Sequence, residues 1–408
     1  MTLGIRMVSA ESVTEGHPDK VCDQISDAIL DELIRQAQLS GSDVSSVRCA
    51  AETLVTQNDV FVAGETRSDA DIDVEKAVRD TIRRIGYSSD ELGFNADTCT
   101  IKDMLHSQSS DIAQGVDGTE YRSDDDDDVS KLGAGDQGII YGYATNETPT
   151  RIPMPLYAAH KLAQRLADVR KDGTITYLRP DGKTQVTVEY DGDRPVRIDT
   201  VLVSTQHDDD VDVETIRQDV VSSVIDPTLD EVGLPYDGVR ILVNPTGRFV
   251  LGGPAADTGL TGRKLVVDSY GGTGRVGGGV YSGKDPTKVD RSAAYATRWA
   301  AKSVVDAWLA RRCEVQIAYA IGVPEPVSMY VDTFGTARYG LSDTDINRAL
   351  GEAFDFRPGA IIRSLGLWRP MYEQTAAYGH FGRTDVTFPW EDTSKTAANL
   401  RGILGIEE

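Results

Sequence analysis

Cysteine is scarce in this 408-residue chain, and the four present, Cys22, Cys49, Cys99 and Cys313, are scattered along it. Neither a disulfide framework nor a zinc spacing can be built from them, so they read as buried thiols acting as small hydrophobes. Positive charge is short as well. Lys and Arg number 42 against 65 Asp and Glu, a formal charge of −23, and a field of that sign repels nucleic acid and anionic lipid. Long apolar runs are missing too: no segment approaches the roughly 18 residues that span a bilayer, and Met1 to Ala10 lacks the apolar core of a secretory leader. Nucleic acid and membrane are therefore not expected as partners, and the expected location is cytoplasmic. Hydrophobic residues at 40% and charged residues at 26% are near the globular norm, which excludes a fibrous or disordered chain.

What is present is an order of elements that recurs. Pro18 and Asp19 open a helix with Val21, Ile25, Ala28, Ile29 and Leu33 at helical spacing, the proline in a tolerated first-turn position and the acid facing the positive end of the dipole. Strands are expected over Val47 to Val55 and Val60 to Glu65 around Gln57-Asn58-Asp59, then a helix over Val74 to Ile85 stopped by Gly86. The order returns as a helix from Pro155 to Val169, strands at Gln185 to Tyr190 and Val196 to Thr205, and a helix from Val213 to Ile225 ending before Pro227. A third round has a helix from Thr287 to Ala310, strands at Glu314 to Ile321 and Val327 to Thr333, and a helix from Asp343 to Phe354. First helices about 130 residues apart exceed any solenoid period, so the expected fold class is α+β, three similar domains. Between the first two units, Leu105 to Lys131 contains the run Asp124 to Asp128 and reads as a solvated loop.

Glycine and positive charge concentrate in one place. Twelve of the 37 residues from Gly247 to Gly283 are glycine, a density that marks tight turns or close approach to a ligand. From Asp237 to Lys302 there are ten Lys or Arg against five Asp, so a cationic patch lies in an anionic protein. Two readings stay open for it: a basic surface strip, or a site for a compact polyanion such as a nucleotide triphosphate. Gly278 to Lys284 fits the first seven places of a P-loop, but Asp285 stands where Ser or Thr should hold magnesium and no strand leads into the loop. The spacing of Lys284, Asp285, Lys288, Asp290 and Arg291 at a helix start instead offers cations and carboxylates together, able to hold polyphosphate and a divalent ion. His17, Asp19 and Lys20 repeat that geometry around Pro18. On these residues a triphosphatase or kinase with Lys284 as phosphate clamp, or a non-catalytic acidic scaffold or nucleotide sensor, are alternatives.

Several long motifs carry a resemblance. Ser9-Ala10-Glu11-Ser12-Val13-Thr14-Glu15-Gly16-His17-Pro18-Asp19-Lys20, Gly133-Ala134-Gly135-Asp136-Gln137-Gly138, Asn244-Pro245-Thr246-Gly247-Arg248-Phe249, Gly259-Leu260-Thr261-Gly262-Arg263-Lys264 and Gly277 to Arg291 occur in order and resemble the signatures of methionine adenosyltransferase, also called S-adenosylmethionine synthetase. The resemblance covers nearly the whole chain. It implies that ATP, L-methionine and water give S-adenosylmethionine, diphosphate and phosphate, the sulfur attacking ribose C5′ and the released triphosphate being hydrolysed afterwards.

Carried over residue by residue, it implies His17, Lys183, Arg263 and Lys284 as catalytic groups, with His17 near the breaking C5′–O bond. ATP would further contact Asp136, Asp181, Arg248, Phe249, Asp257, Lys264 and Val280. Glu65, Gln108, Asp257 and Lys288 would hold methionine. Asp19 and Asp290 would bind two Mg²⁺ per subunit, and Glu52 one K⁺. The implied fold is three α+β domains about a pseudo-threefold axis, over 1–112, 130–249 and 250–396 with a flexible loop at 105–131 and segments interleaving between domains. The implied assembly is a homotetramer, a dimer of dimers with active sites at the dimer interface. Val280-Tyr281 replaces the Ala-Phe of many members, and the acidic loop is longer than in other forms, so both depart from the pattern.

Overall fold

A computed structural model describes residues 4–107 and 132–407. Strand β1 (Ile5–Val13) leads into α1 (Pro18–Ser40), then the hairpin β2 (Arg48–Thr56) and β3 (Asp59–Arg67), helix α2 (Val74–Ile85) and strand β4 (Thr100–Ser107). Gln57, at φ +50°, makes the hairpin turn between Thr56 and Asp59. Asp73 caps α2 by accepting Lys76 N–H at 2.9 Å, and Gly86 ends it in the left-handed conformation. The second unit has β5 (Gly138–Thr145), α3 (Met154–Lys171), β6 (Leu178–Asp191), β7 (Arg194–His207), α4 (Val213–Val220), α5 (Asp226–Val232) and β8 (Arg240–Val243). The third has the short β9 (Gly259–Leu260), α6 (Val289–Asp306), β10 (Arg312–Tyr319), β11 (Ser328–Asp332), α7 (Asp343–Ala353), α8 (Pro358–Leu365) and α9 (Ser394–Ile403).

The fold is α+β: besides a two-stranded ribbon, Ser88–Ser89 with Phe94–Asn95, the described residues form three small sheets, each packed against a long helix. Their strand orders are β9-β2-β3-β4, β1-β6-β7-β8 and β11-β10-β5. Helix α1 packs on β2 and β9, α3 on β1 and β6, and α6 on β5 and β10. Each sheet thus takes its hairpin and long helix from one stretch of chain and an antiparallel strand from another: β1 joins the second unit, β5 the third and β9 the first. Alternation sets the faces. Cys49, Ala51, Thr53 and Val55 of β2 are buried, and Glu52 is exposed on the opposite face. The five residues expected to form the apolar face of α1 are all buried. So are all four cysteines, as free thiols.

Four expectations need correction. The helix expected to stop before Pro227 continues past it: Val221–Ile225 form a π-helical turn, in which Asp226 N–H reaches Val221 O, and α5 follows. Pro227 sits at the start of that new helix, where its missing N–H costs no hydrogen bond. The helix expected over Thr287 to Ala310 spans only Val289–Asp306, because Lys288 is extended and Trp308 adopts φ +60°. Leu105 to Ser107, assigned to the loop, belong to β4, which runs parallel to β3 with Leu105 opposite Gly64. Its polar sequence hides it, since an exposed edge strand shows no apolar alternation. Finally, Gln185 to Tyr190 is only the second half of β6. A register shift between Leu178 and Gly182 lets Pro180 and Asp181 enter that strand. The acidic run Asp124 to Asp128 lies outside the described residues.

Candidate active site

The Thr14–His17 loop is pinned against β6: Thr14 Oγ1 donates to Pro180 O at 2.7 Å, and a methyl on Gly16 would overlap that carbonyl. His17 then caps α1, its Nδ1 accepting Asp19 N–H at 3.2 Å. That contact leaves the ring proton on Nε2. Burial, followed by the charge of Lys264, lowers the His17 pKa to about 3, so the ring is a neutral donor at physiological pH.

Asp19 sits in the next turn. It accepts Leu260 N–H at 3.0 Å and pairs with Lys264 Nζ at 2.5 Å, while Arg263 Nε stands 3.6 Å away. Burial alone would raise its pKa, but the bonds from Lys264 and Leu260 prevail and lower it. On the flanking β6, Asp181 accepts Gly253 N–H at 2.9 Å, with its other oxygen buried and unpartnered. Burial raises its pKa to about 6. Lys183 is exposed two residues on, and its charge reaches both Asp181 and His17.

A second group surrounds the start of α6. Lys284 Nζ pairs with Asp290 Oδ2 at 2.7 Å over Gly279, where any side chain would overlap the Asp290 carboxylate. Lys288 pairs with fully buried Asp285, which also accepts Cys49 N–H at 2.7 Å and Thr287 Oγ1 at 2.6 Å. Gly135 lies against the Thr287 carbonyl and puts exposed Asp136 beside this group. Val280 packs on Gly262, between the two groups. Among the described residues, no hydrogen bond or ion pair joins His17, Asp19, Arg263 and Lys264 to Lys284, Lys288 and Asp290.

The chemistry of such an arrangement is narrow. Clustered ammonium and guanidinium groups beside a buried neutral N–H donor favour a polyanion and charge developing on an oxygen. Successive segments of the chain match the S-adenosylmethionine synthetase N-terminal domain over residues 6–110, the central domain over 131–249 and the C-terminal domain over 251–392. The chain belongs to the S-adenosylmethionine synthetase family. It is 56% identical over 396 residues to the S-adenosylmethionine synthase of Desulforudis audaxviator (strain MP104C), covering 97% of this chain and 98% of that relative. It is 53% identical over 413 residues to the S-adenosylmethionine synthase of Nocardia farcinica (strain IFM 10152), covering 99% and 100%.

Not every residue carried over from the synthetase signatures meets these two groups. Arg248 is exposed and pairs with Asp209, and Phe249 is half-buried, its N–H donated to His207 Nε2 at 3.0 Å. Asp257 is exposed just beyond Gly253. Glu65 lies on β3 with His106 Nε2 3.9 Å away, and Glu52 stands on the open face of the same sheet. Gln108 lies outside the described residues. No cluster of three or more His, Cys, Asp or Glu forms a metal cage among the described residues, and no described helix is long and apolar enough to cross a membrane.

Reading the sequence missed four carboxylates that organise these loops: Asp23, Asp27, Asp31 and Asp268. Lys20, fully buried, pairs with Asp23 at 2.9 Å and Asp268 at 2.5 Å, and Arg291 forks onto Asp27 at 2.5 and 2.9 Å. A signal was available. Asp19, Asp23, Asp27 and Asp31 recur every four residues in a helix that also carries the apolar pattern, too many acids for a face that packs.

Proposed function

We propose that this chain forms S-adenosylmethionine from L-methionine and ATP, releasing diphosphate and phosphate. The observation that carries the reading is the neutral His17 donor buried next to Asp19 and its cations Lys264 and Arg263, with a third cation, Lys284, poised on Asp290. A thioether needs no deprotonation, so the protein need only align sulfur with C5′ and stabilise the departing polyanion. In this reading His17 Nε2–H donates to the oxygen leaving C5′, while Arg263, Lys264, Lys284 and Lys183 share the triphosphate charge. Asp136, Asp181, Arg248, Phe249, Asp257 and Val280 complete the ATP contacts. Lys288 meets the methionine carboxylate, its charge shared with Asp285, and Glu65, Asp257 and Gln108 meet the ammonium and neighbouring atoms.

Asp19 and Asp290 would hold two Mg²⁺ per subunit, supplying positive charge to the triphosphate. The donor set fits, since Mg²⁺ is commonly held by one or two carboxylates with phosphate oxygens and water, and a lysine neutralises each of these two carboxylates here. Glu52 would contribute to one K⁺, as a single exposed carboxylate that needs further oxygens around it.

Likeness to the synthetase family over nearly the whole chain supports a homotetramer built as a dimer of dimers with active sites at the dimer interface. The cyclic exchange of β1, β5 and β9 supports a pseudo-threefold arrangement of domains over 1–112, 130–249 and 250–396. We also place the enzyme in the cytoplasm. Incubation with ATP, Mg²⁺, K⁺ and methionine, analysed for S-adenosylmethionine, diphosphate and phosphate, tests the reading. Triphosphate release without methionine dependence would make the chain a triphosphatase instead.

A further inference from the structure

Four aspartates at intervals of four residues climb one face of a helix in steps of about 6 Å. On α1 they are Asp19, Asp23, Asp27 and Asp31, none more than 5% exposed. A buried carboxylate persists only where donors and cations satisfy it. The donors here are backbone N–H groups from the distant third of the chain. Leu260 donates to Asp19 at 3.0 Å, Gly262 to Asp23 at 2.8 Å and Gly283 to Asp27 at 2.8 Å. Tyr372 and Glu373 donate to Asp31 at 3.0 and 2.9 Å.

The residues that follow these anchors matter most. Gly262 immediately precedes Arg263 and Lys264, and Gly283 immediately precedes Lys284. Both glycines are left-handed, at φ +81° and +82°, and a methyl on either would overlap its neighbour: Val280 for Gly262, the Ala51 carbonyl for Gly283. Each cationic side chain therefore leaves a backbone point fixed by a charge-assisted bond to α1, with the two anchors one helical turn apart.

We propose that Asp23 and Asp27 are positioning residues for the triphosphate-binding cations, Asp23 through Gly262 for Arg263 and Lys264, and Asp27 through Gly283 for Lys284. The inference rests on the reading that these cations hold the triphosphate. Asp31 supplies an internal control, because it is buried in the same row and accepts two N–H bonds but holds a segment that carries none of those cations.

Calorimetric titration of inorganic tripolyphosphate into the full-length protein tests the row. Lys284→Ala and Asp23→Ala are expected to weaken binding at least tenfold. Asp23→Asn should stay within about threefold of wild type, since its amide oxygen still accepts Gly262 N–H and Lys20 keeps Asp268. Asp31→Asn should change thermal stability and leave affinity within about twofold. Should Lys284→Ala bind like wild type, the functional reading fails. Should Lys284→Ala weaken binding but Asp23→Ala not, the positioning role fails. Equal loss in Asp31→Asn and Asp23→Ala would also overturn it, by making the row a matter of general stability. If Asp23→Ala does not fold, Asp27→Glu decides: it keeps charge opposite Arg291 but displaces the acceptor by one methylene, so at least a fivefold loss is expected and unchanged affinity refutes the proposal.

Discussion

His17 permits a prediction that separates hydrogen bonding from proton transfer. Its pKa falls from 6.5 to about 3, mainly through burial and then through Lys264, which corresponds to roughly 5 kcal/mol favouring the neutral ring. At pH 7 the imidazolium would then make up only about one molecule in 10⁴. A rate that depended on it would fall tenfold per pH unit above the pKa. The neutral Nε2–H donor has no such dependence, so S-adenosylmethionine formation in a single turnover should show no His17 titration from pH 6 to 9. His17→Asn keeps a strong helix cap, since an Asn oxygen can accept the Asp19 N–H, but it removes the donor at Nε2. Losing one preorganised donor costs about 10²- to 10³-fold in the chemical step, with a smaller effect on ATP affinity. Rapid-quench kinetics of both proteins, with nitrogen NMR of labelled histidine, measure all three quantities. An imidazole titrating near pH 6.5, or an Asn variant within threefold of wild type, would refute the reasoning.

Lys288→Met should abolish productive methionine binding while leaving hydrolysis of added tripolyphosphate largely intact, and a variant with wild-type methionine affinity would reassign Lys288. Coexpression of His17→Asn with Lys284→Ala should restore activity in isolated heterodimers, because one of the two shared sites then receives both intact residues; no recovery would place the two groups in one chain's site. Gly142→Ala should destabilise the fold by about 1–3 kcal/mol in urea unfolding, since its methyl would overlap the Thr297 backbone of α6 and push helix from sheet. A change below 0.5 kcal/mol would contradict that packing. Asp31 titrates at about 7 in the fold because burial outweighs its two N–H bonds. Its folded form therefore holds a proton that the unfolded chain has released between about pH 4 and 7, and the stability it contributes is lost as pH rises through that window. The stability deficit of Asp31→Asn should accordingly shrink with rising pH, by up to about 1.4 kcal/mol per unit; a deficit that grows would reverse the sign of the shift.

Much of this protein is written locally. The face of α1, the turn at Gln57, the cap and stop of α2 and the burial of the cysteines all follow from spacing, capping and turn chemistry within a few residues, where the sequence is its own environment. The signatures around His17 and Lys284 were legible for the same reason: phosphate-binding geometry needs glycines, cations and helix starts as neighbours in the chain. Tertiary structure decided what depends on distant partners. Nothing within β1 indicates that it pairs with β6, and two-residue β9 is a strand only because β2 offers it hydrogen bonds. Pro227 appeared to end a helix because a proline's local effect is loss of an N–H, whereas the π turn before it removes the need for that bond. The aspartate row on α1 was visible as a period of four, but only the fold brings Gly262 and Gly283 to it across more than two hundred residues. A carboxylate's role is set by the donors that reach it, and those donors arrive by topology.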